Sequence, residues 1–269
     1  MLPSACKCNG ILLISSGHRR YKQSAIFFGG AVKKFLKSIT LVEWLIWSIS
    51  VISIIVFFFV FKNTQYLYLF GSLIGATALI FVSKGNPIGQ FLTIVFSVFY
   101  GIISYSFNYY GEMITYLGMS APIALWALIS WLRNPYKGNK SEVKVNSLSR
   151  KEWCLFLIAA AVITVSFFFV LQALNTTNLI ISTISVLTSF IAAYLTARRS
   201  RFYAIGYGAN DIVLIIMWSM ASYENIIYLP MVICFIAFFV TDTYGFINWS
   251  IMNKKQKAGE ENVSENEKI

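Results

Sequence analysis

The stretch GYGANDIVLIIMW, residues 206 to 218, places Asn210 and Asp211 side by side within an apolar segment. An ionised aspartate at the centre of a bilayer costs about 2.5–3.5 kcal/mol on insertion scales, so such a residue usually faces a protein interior or a water-filled cavity. Helical spacing puts four large side chains on the same face: Tyr203, Tyr207, Leu214 and Trp218. The pattern predicts a solute cavity; the alternative is a hydrogen-bond network that only stabilises the helices.

Polar residues recur every three or four positions in three other apolar segments, which gives each segment a polar face. These stripes are Gln90, Thr93, Ser97, Tyr100, Ser104 and Asn108; then Asn178, Ser182, Ser185, Ser189 and Thr196; then Thr241, Asp242, Gly245, Asn248 and Trp249. Small hydroxyl residues commonly join packed membrane helices, and for the serine-rich stripe we favour that role. Antiparallel neighbouring helices would bring Asp242 to about the depth of Asp211.

Amides, hydroxyls and aromatic rings around a cavity suit a planar, polar solute that is uncharged or cationic. The predicted membrane segments contain no lysine or arginine, which disfavours a phosphorylated ligand. The candidate substrate-binding residues are Gln90, Ser97, Tyr100, Asn108, Tyr207, Asn210, Asp211, Trp218, Thr241, Asp242 and Asn248. Among them we expect Asn210 to bind the ligand through its amide, Asp211 to hold the site in shape, and Trp218 to form a stacking wall or gate.

The composition explains where these residues must lie. The chain is 57% hydrophobic and 12% charged, whereas a soluble domain carries about 25% charged residues. Its apolar runs have the length that a helix needs to cross about 30 Å of hydrocarbon. The eight predicted segments are Leu41–Phe61, Tyr66–Ser83, Ile88–Phe107, Met113–Leu132, Trp153–Leu174, Leu179–Ala197, Phe202–Ser222 and Ile226–Trp249. The sequence therefore predicts an all-α polytopic membrane protein.

The charged residues indicate the orientation in the membrane. Only Lys62 of the 22 basic residues falls on one side of the predicted segments, together with Glu112 and Glu224. By the positive-inside rule both termini are cytoplasmic. The net charge of +11 is thus a topology signal, and we expect the lipid bilayer and a small molecule as partners, with no nucleic acid.

Several catalytic and metal-binding patterns are absent from the sequence. His18 is the only histidine, and Cys6 and Cys8 form an isolated C-x-C, so we expect neither a metal site nor a cofactor. No phosphate-binding G-x-x-x-x-G-K-[ST] loop and no H-E-x-x-H or G-x-S-x-G signature occurs. The sequence predicts that the chain is not an enzyme.

Two halves of the chain resemble each other. VEWLIW at 42–47 matches KEWCLF at 151–156, MITYLGM at 113–119 matches NIIYLPM at 225–231, and Trp131 and Trp249 close the two halves. We expect both tryptophans in the interfacial aromatic belt. Each half has four segments, so the repeat is parallel and a binding site would lie between the halves.

The predicted organisation is a basic tail at 1–40, with an interfacial helix as one option, a first repeat at 41–132, a basic cytoplasmic loop at 133–152, a second repeat at 153–252, and a disordered tail at 253–269.

Three stretches carry a family resemblance over about residues 40 to 253: YGEMITYLGMSAPIALWALISW (110–131), YAIGYGANDIVLIIMW (203–218) and LPMVICFIAFFVTDTYGFINW (229–249). They resemble the PnuC family of bacterial vitamin transporters. The resemblance implies a SWEET-like fold, in which two three-helix bundles are joined by a linker helix and preceded by an extra helix. It also implies transport of nicotinamide riboside through the plasma membrane by facilitated diffusion, with cytoplasmic phosphorylation trapping the solute. A homo-oligomer is expected, with a trimer as one candidate.

Two departures from the family pattern leave the substrate open. The family's W-x-x-W-x-x-x-D reads here as Ala204, Tyr207 and Asp211, and its P-x-Q is Pro122, followed by Ile123 and Ala124. Deoxynucleosides, thiamine and riboflavin are the alternative substrates. A membrane assembly subunit or sensor that transports nothing is the alternative from another functional class.

Overall fold

The computed structural model describes residues 39–61 and 66–266, with side chains up to residue 261. Its helices are α1 (Leu41–Val60), α2 (Tyr66–Ser83), α3 (Ile88–Ser106), α4 (Tyr110–Arg133), α5 (Arg150–Ala173), α6 (Leu179–Ala197), α7 (Tyr203–Glu224) and α8 (Leu229–Asn266), with a 3-10 turn at Ile226–Tyr228. The middle of α4, Thr115–Ser120, is π-helical. Eight spans in this part of the chain are long and apolar enough to cross a membrane. The predicted all-α polytopic fold is confirmed.

The chain divides into two compact units, Met1–Leu45 and Ile46–Ile269. Within the first unit, the backbone N–H of Thr40 donates to Glu43 Oε2 over 2.7 Å, and the N–H of Glu43 donates to Thr40 Oγ1 over 3.3 Å. This reciprocal capping box explains why α1 begins at residue 41. Residues 1–38 of the predicted basic tail, with the interfacial helix that is one option for it, lie outside the described residues.

The larger unit contains two groups of packed helices. Helices α2, α3 and α4 pack in chain order and form the first bundle, and α6, α7 and α8 form the second bundle. Helix α5 packs on α6, while the two bundles meet through contacts of α2 with α8 and of α4 with α6. Apolar side chains on the outer faces remain exposed, as expected for helices surrounded by lipid. The internal repeat stays a prediction.

Two tryptophans join the bundles at one end of the membrane helices. The indole N–H of Trp131 on α4 donates to the carbonyl of Thr196 on α6, and that of Trp249 on α8 donates to the carbonyl of Val82 on α2, each over 2.9 Å. Both side chains are buried, and their ring centroids lie 5.4 Å apart. The expected place in the interfacial belt is therefore wrong for both, because each indole finds its acceptor inside the protein.

The same end carries a small β-hairpin within the predicted loop 133–152. Strands β1 (Pro135–Tyr136) and β2 (Asn139–Val143) pair antiparallel. The hairpin docks on the helices because the N–H of Val143 donates to the carbonyl of Gly85 over 3.0 Å. We call this end, where Val82, Thr196 and the hairpin lie, the hairpin end.

The predicted disordered tail at 253–269 is wrong for most of its length, because α8 continues to Asn266. Gln256 is buried on this extension, donates to Glu142 Oε1 and the carbonyl of Val143, and accepts from the N–H of Val145. Lys144 also pairs with Glu260 at 2.6 Å. Contacts with the hairpin thus hold this extension, and helix-favouring residues such as Lys, Gln, Ala and Glu compose most of it.

Close packing of α6 on α7 depends on Gly206. A Cβ atom at this position would lie 2.8 Å from Ala192 Cα and 2.9 Å from its backbone nitrogen, whereas one at Gly208 would meet only the Phe239 ring at 3.6 Å. We therefore expect Gly206→Ala to destabilise the protein by about 1–3 kcal/mol through overpacking. Gly208→Ala has the same gain in helix propensity and should be neutral or slightly stabilising. Thermal unfolding in detergent compares the two variants; equal melting temperatures would contradict this account of the α6–α7 contact.

Candidate functional site

A cavity lies between the two bundles, and both bundles supply its wall. Its residues come from α2, α3, α4, α6, α7 and α8: Gly75, Ala78, Leu79, Val82, Gln90, Thr93, Phe96, Ser97, Tyr116, Ser120, Ser189, Tyr207, Asn210, Asp211, Phe235, Phe238 and Asp242. Aromatic rings make up a large part of this surface, and amide, hydroxyl and carboxyl groups interrupt it. Among these residues the only charged types are the two aspartates, so the cavity can take a planar polar solute and offers no cation to an anion.

Asn210 is the centre of a buried hydrogen-bond network. Its Oδ1 accepts from three hydroxyl groups on α6, at 3.3 Å from Ser185, 2.9 Å from Thr188 and 2.9 Å from Ser189. Its Nδ2 donates to the hydroxyl of Tyr116 on α4 over 3.4 Å. The amide therefore joins α4, α6 and α7, and most of its hydrogen-bonding capacity is already used without a ligand.

Glu112 extends this network toward the other end of the helices. The sequence places it on a connection between segments, but α4 begins at Tyr110, three positions earlier than the predicted Met113, and Glu112 is fully buried. Its Oε2 accepts from the hydroxyl of Ser185 over 3.0 Å, and among the described residues its Oε1 has no hydrogen-bond partner. The hydroxyl of Ser185 has one hydrogen for two acceptors, Glu112 and Asn210, so it can switch between them.

The carboxyl groups of Asp211 on α7 and Asp242 on α8 lie next to each other in the cavity wall. Desolvation and mutual repulsion oppose the ionisation of both groups together, so the pair carries at most one negative charge. Both side chains are buried, and within the described part of the chain Asp211 Oδ2 has no hydrogen-bond partner. The expectation that antiparallel helices would bring the two carboxylates to similar depth agrees with this contact.

Gln90 differs from the other polar groups of the cavity. The hydroxyl groups of Thr93 and Ser97 donate to helix carbonyls one turn earlier, over 2.9 and 2.8 Å. The side-chain amide of Gln90 lines the cavity, and in residues 39–61 and 66–266 no partner bonds to it. It therefore offers an unused donor and an unused acceptor to a solute.

The structure brings six of the eleven predicted site residues to the cavity: Gln90, Ser97, Tyr207, Asn210, Asp211 and Asp242. The other five lie outside its wall: Tyr100, Asn108, Trp218, Thr241 and Asn248. Thr241 donates to the carbonyl of Ala237, and Asn248 donates to the carbonyl of Ser83. Asn108 is exposed in a left-handed turn after α3 and accepts from the hydroxyl of Tyr110. These three side chains serve helix packing and a turn, and we do not carry them forward as ligand contacts.

Trp218 and Tyr100 belong to an aromatic cluster beyond the cavity. The indole N–H of Trp218 donates to the hydroxyl of Tyr100 over 2.7 Å, and the rings of Phe107 and Tyr109 meet the indole edge-on at centroid distances of 4.9 and 5.8 Å. Trp218 is completely buried, so it closes the space on the side away from the hairpin end. Of the two expected roles, only the gate stays a proposal, because Trp218 does not reach the cavity wall in this conformation.

Several residues of the cavity wall could not be identified from the sequence. Phe96, Phe235 and Phe238 are apolar residues in apolar helices, and nothing in their type separates a cavity wall from a lipid-facing side chain. Ser189 belongs to the serine-rich stripe, for which we favoured helix packing, and it both bonds Asn210 and lines the cavity. The signal that could have found it is the shared face of Ser185 and Ser189, one turn apart on the same helix.

Comparison with known proteins agrees with this architecture. Residues 65–251 match the sequence model of a family described as "Nicotinamide mononucleotide transporter". The chain is similar to the nicotinamide riboside transporter PnuC of Neisseria mucosa, with 25% identity over 79% of this chain and 82% of that protein. It is also similar to the protein of that name from Haemophilus influenzae, with 23% identity over 71% and 82%. The crystal structure of the vitamin B3 transporter PnuC shares the fold, with a TM-score of 0.71, 24% identity and coverage of 81% of this chain and 94% of that one.

The hydrogen bonds of Asn210 change the expectation for its substitution. From the sequence we expect Asn210→Ala to weaken binding and leave folding intact; in the structure the change removes the acceptor of three hydroxyl groups, two of them buried. We now expect a loss of about 1–3 kcal/mol of unfolding free energy. Thr188→Val removes one of the three donors and should cost about 0.5–1.5 kcal/mol. Chemical or thermal unfolding in detergent measures both; wild-type stability of Asn210→Ala with weakened ligand binding would restore the purely ligand-binding role.

Proposed function

Because the chain belongs to the PnuC family, we propose that it transports nicotinamide riboside across the membrane. The observation that carries this proposal is the Asp211–Asp242 pair, two buried carboxyl groups in the wall of an aromatic cavity. A buried charge is stable only when another group compensates it. Since no lysine or arginine lines the cavity, the solute itself would supply the positive charge.

Nicotinamide riboside matches this requirement because its ring nitrogen carries a permanent positive charge. The face of an aromatic ring attracts such a cation, so Phe96, Tyr207 and Phe238 suit the pyridinium ring as well as the carboxyl pair does. Nicotinamide mononucleotide adds a phosphate, which would enter the cavity without a cation to bind it. The charge distribution thus favours the riboside over the mononucleotide that the family description names.

We assign the carboxamide of the solute to Gln90, whose uncommitted amide can both donate and accept. Asn210 then acts mainly as a positioning residue, which sets the distance between α4, α6 and α7 around the bound ring. Thiamine is the rival that the same charge argument admits, since it is also a cationic heterocycle. Deoxynucleosides and riboflavin carry no such charge and fit less well.

The proposal includes the transport mode. Without a nucleotide-hydrolysing motif, the chain would equilibrate its solute passively, and phosphorylation in the cytoplasm would trap it. The distribution of basic residues supports cytoplasmic termini, which places the hairpin end in the cytoplasm. We retain a homo-oligomer, with a trimer as one candidate, as part of the proposal.

Uptake into liposomes tests the function directly. Purified protein should equilibrate radiolabelled nicotinamide riboside across the membrane without ATP or an ion gradient, and it should leave nicotinamide mononucleotide outside. Binding without equilibration would indicate a sensor instead. Uptake only in the presence of an ion gradient would contradict facilitated diffusion, and selective uptake of thiamine would replace the proposed substrate by its rival.

A second experiment isolates the role of charge. Dihydronicotinamide riboside keeps the shape and the carboxamide of the substrate but has a neutral ring. We expect the wild-type protein to bind the cation about tenfold or more tightly than this neutral analogue, since hydrogen bonds and contacts with charged groups contribute about 1.5–3 kcal/mol. The double variant Asp211→Asn/Asp242→Asn keeps the size of both side chains but removes both carboxyl groups, and it should largely abolish this preference. Isothermal titration calorimetry gives both affinities.

Gln90→Ala serves as the matched control for the charge experiment. Because both ligands carry the carboxamide, we expect this variant to lose affinity for both by a similar factor and to keep the preference for the cation. If Asp211→Asn/Asp242→Asn weakens both ligands equally, the aspartate pair has a structural role and the charge argument fails.

A further inference from the structure

A second pocket lies at the hairpin end of the second bundle, and it shares no residue with the wall of the substrate cavity. Three separate parts of the chain form it: the segment before and into α5, the turn before α7, and the extension of α8. Its residues are Asn146, Ser147, Leu148, Trp153, Ser200, Arg201, Phe202, Asn253 and Lys257. Most of them are polar, and none is acidic.

The pocket has two cations with no carboxylate partner. At the same end, Arg198 pairs with Glu152 and Lys144 pairs with Glu260. Among the residues that the structure describes, neither Arg201 nor Lys257 has a carboxylate within 4.0 Å. Two positive charges facing one polar recess therefore lack a counter-charge from this part of the protein.

Aromatic contacts hold Arg201 in place. Its guanidinium lies 4.8 Å from the centroid of the Phe202 ring, and Phe202 in turn packs edge-on against Trp153 with centroids 6.1 Å apart. A cation over a ring face is stabilised without using its N–H donors. The guanidinium is thus positioned and keeps its hydrogen bonds for a ligand.

The backbone around the pocket is also fixed. The N–H of Asn146 donates to the carbonyl of Arg199 over 2.9 Å, and its side-chain amide donates to the carbonyl of Arg198 over 3.2 Å. These bonds tie the segment before α5 to the turn before α7, so the first turns of two long helices lie at one pocket. Helix N-termini carry partial positive charge, which adds to the attraction for an anion.

We propose that this pocket binds a phosphate group, carried either by an anionic membrane lipid or by a soluble phosphate. Arginine offers a planar fork of donors and lysine a point charge, a combination that suits an anion with several acceptor oxygens. The pocket lies where the apolar part of α5 begins, next to Trp153, at the level where basic recesses between membrane helices meet lipid headgroups. This site is additional to the transport cavity and independent of the proposed substrate.

Thermal unfolding of the purified full-length chain tests the proposal in two arms. One arm compares inorganic phosphate with chloride at equal ionic strength. The other compares micelles containing phosphatidylglycerol with micelles containing a phosphate-free galactolipid. Ligands that bind the folded state raise the melting temperature. Stabilisation by inorganic phosphate would identify a soluble ligand, and stabilisation by phosphatidylglycerol alone would identify a lipid headgroup.

The variant Arg201→Ala/Lys257→Ala should lose that stabilisation, with affinity reduced about tenfold or more. Its matched control is Arg133→Ala/Lys140→Ala, which removes two positive charges from exposed positions outside the pocket and should respond like the wild type. Lys257→Gln alone changes only one exposed side chain, so it keeps the test valid if the double variant does not fold, and it should show a partial loss. The proposal is overturned if neither phosphate source stabilises the wild type, or if the pocket variants respond as the control does.

Discussion

The amide of Asn210 is the contact on which both the packing and the cavity depend. In a hydrocarbon environment no water satisfies a buried polar group, so each one must find its partner within the protein. Asn210 accepts from three hydroxyl groups of α6 and donates to Tyr116 of α4, while it forms part of the cavity wall itself. Helix association and solute binding therefore share one set of hydrogen bonds, and a change in either affects the other.

The membrane helices could be predicted from hydropathy because length and apolarity decide whether a segment crosses a bilayer. The ends of these helices were harder to predict from the sequence. Glu112 has the polarity of a loop residue, and only the tertiary contact with Ser185 explains its place inside α4. The α8 extension has the composition of a solvated tail, and its order depends on Gln256 and the hairpin, which lie far apart in the sequence.

Helical periodicity identified the faces that carry Gln90, Ser97, Asn210 and Asp211, since residues three and four apart share a side of a helix. Periodicity gives no information on depth, which is why Asn108, at the end of its stripe, falls in an exposed turn. Trp131 and Trp249 were assigned to the lipid interface for a related reason. Their residue type and their position near segment ends fit the aromatic belt. The carbonyl groups that accept from their indoles lie on other helices and become visible only in the structure.

The two cross-bundle indoles at the hairpin end have a consequence for the rate of exchange between conformations. Separation of the bundles there would break both contacts together, because each bundle supplies one donor and one acceptor. Water can replace the hydrogen bonds. The main free-energy cost of separating the bundles is therefore the exposure of two large rings to water, about 4–6 kcal/mol for each. The barrier to opening is at least this sum, about 10 kcal/mol, so openings occur at most about 10⁵ times per second. The tryptophan pair can thus keep the cavity shut for most of the time and still leave the chain kinetically free to turn over.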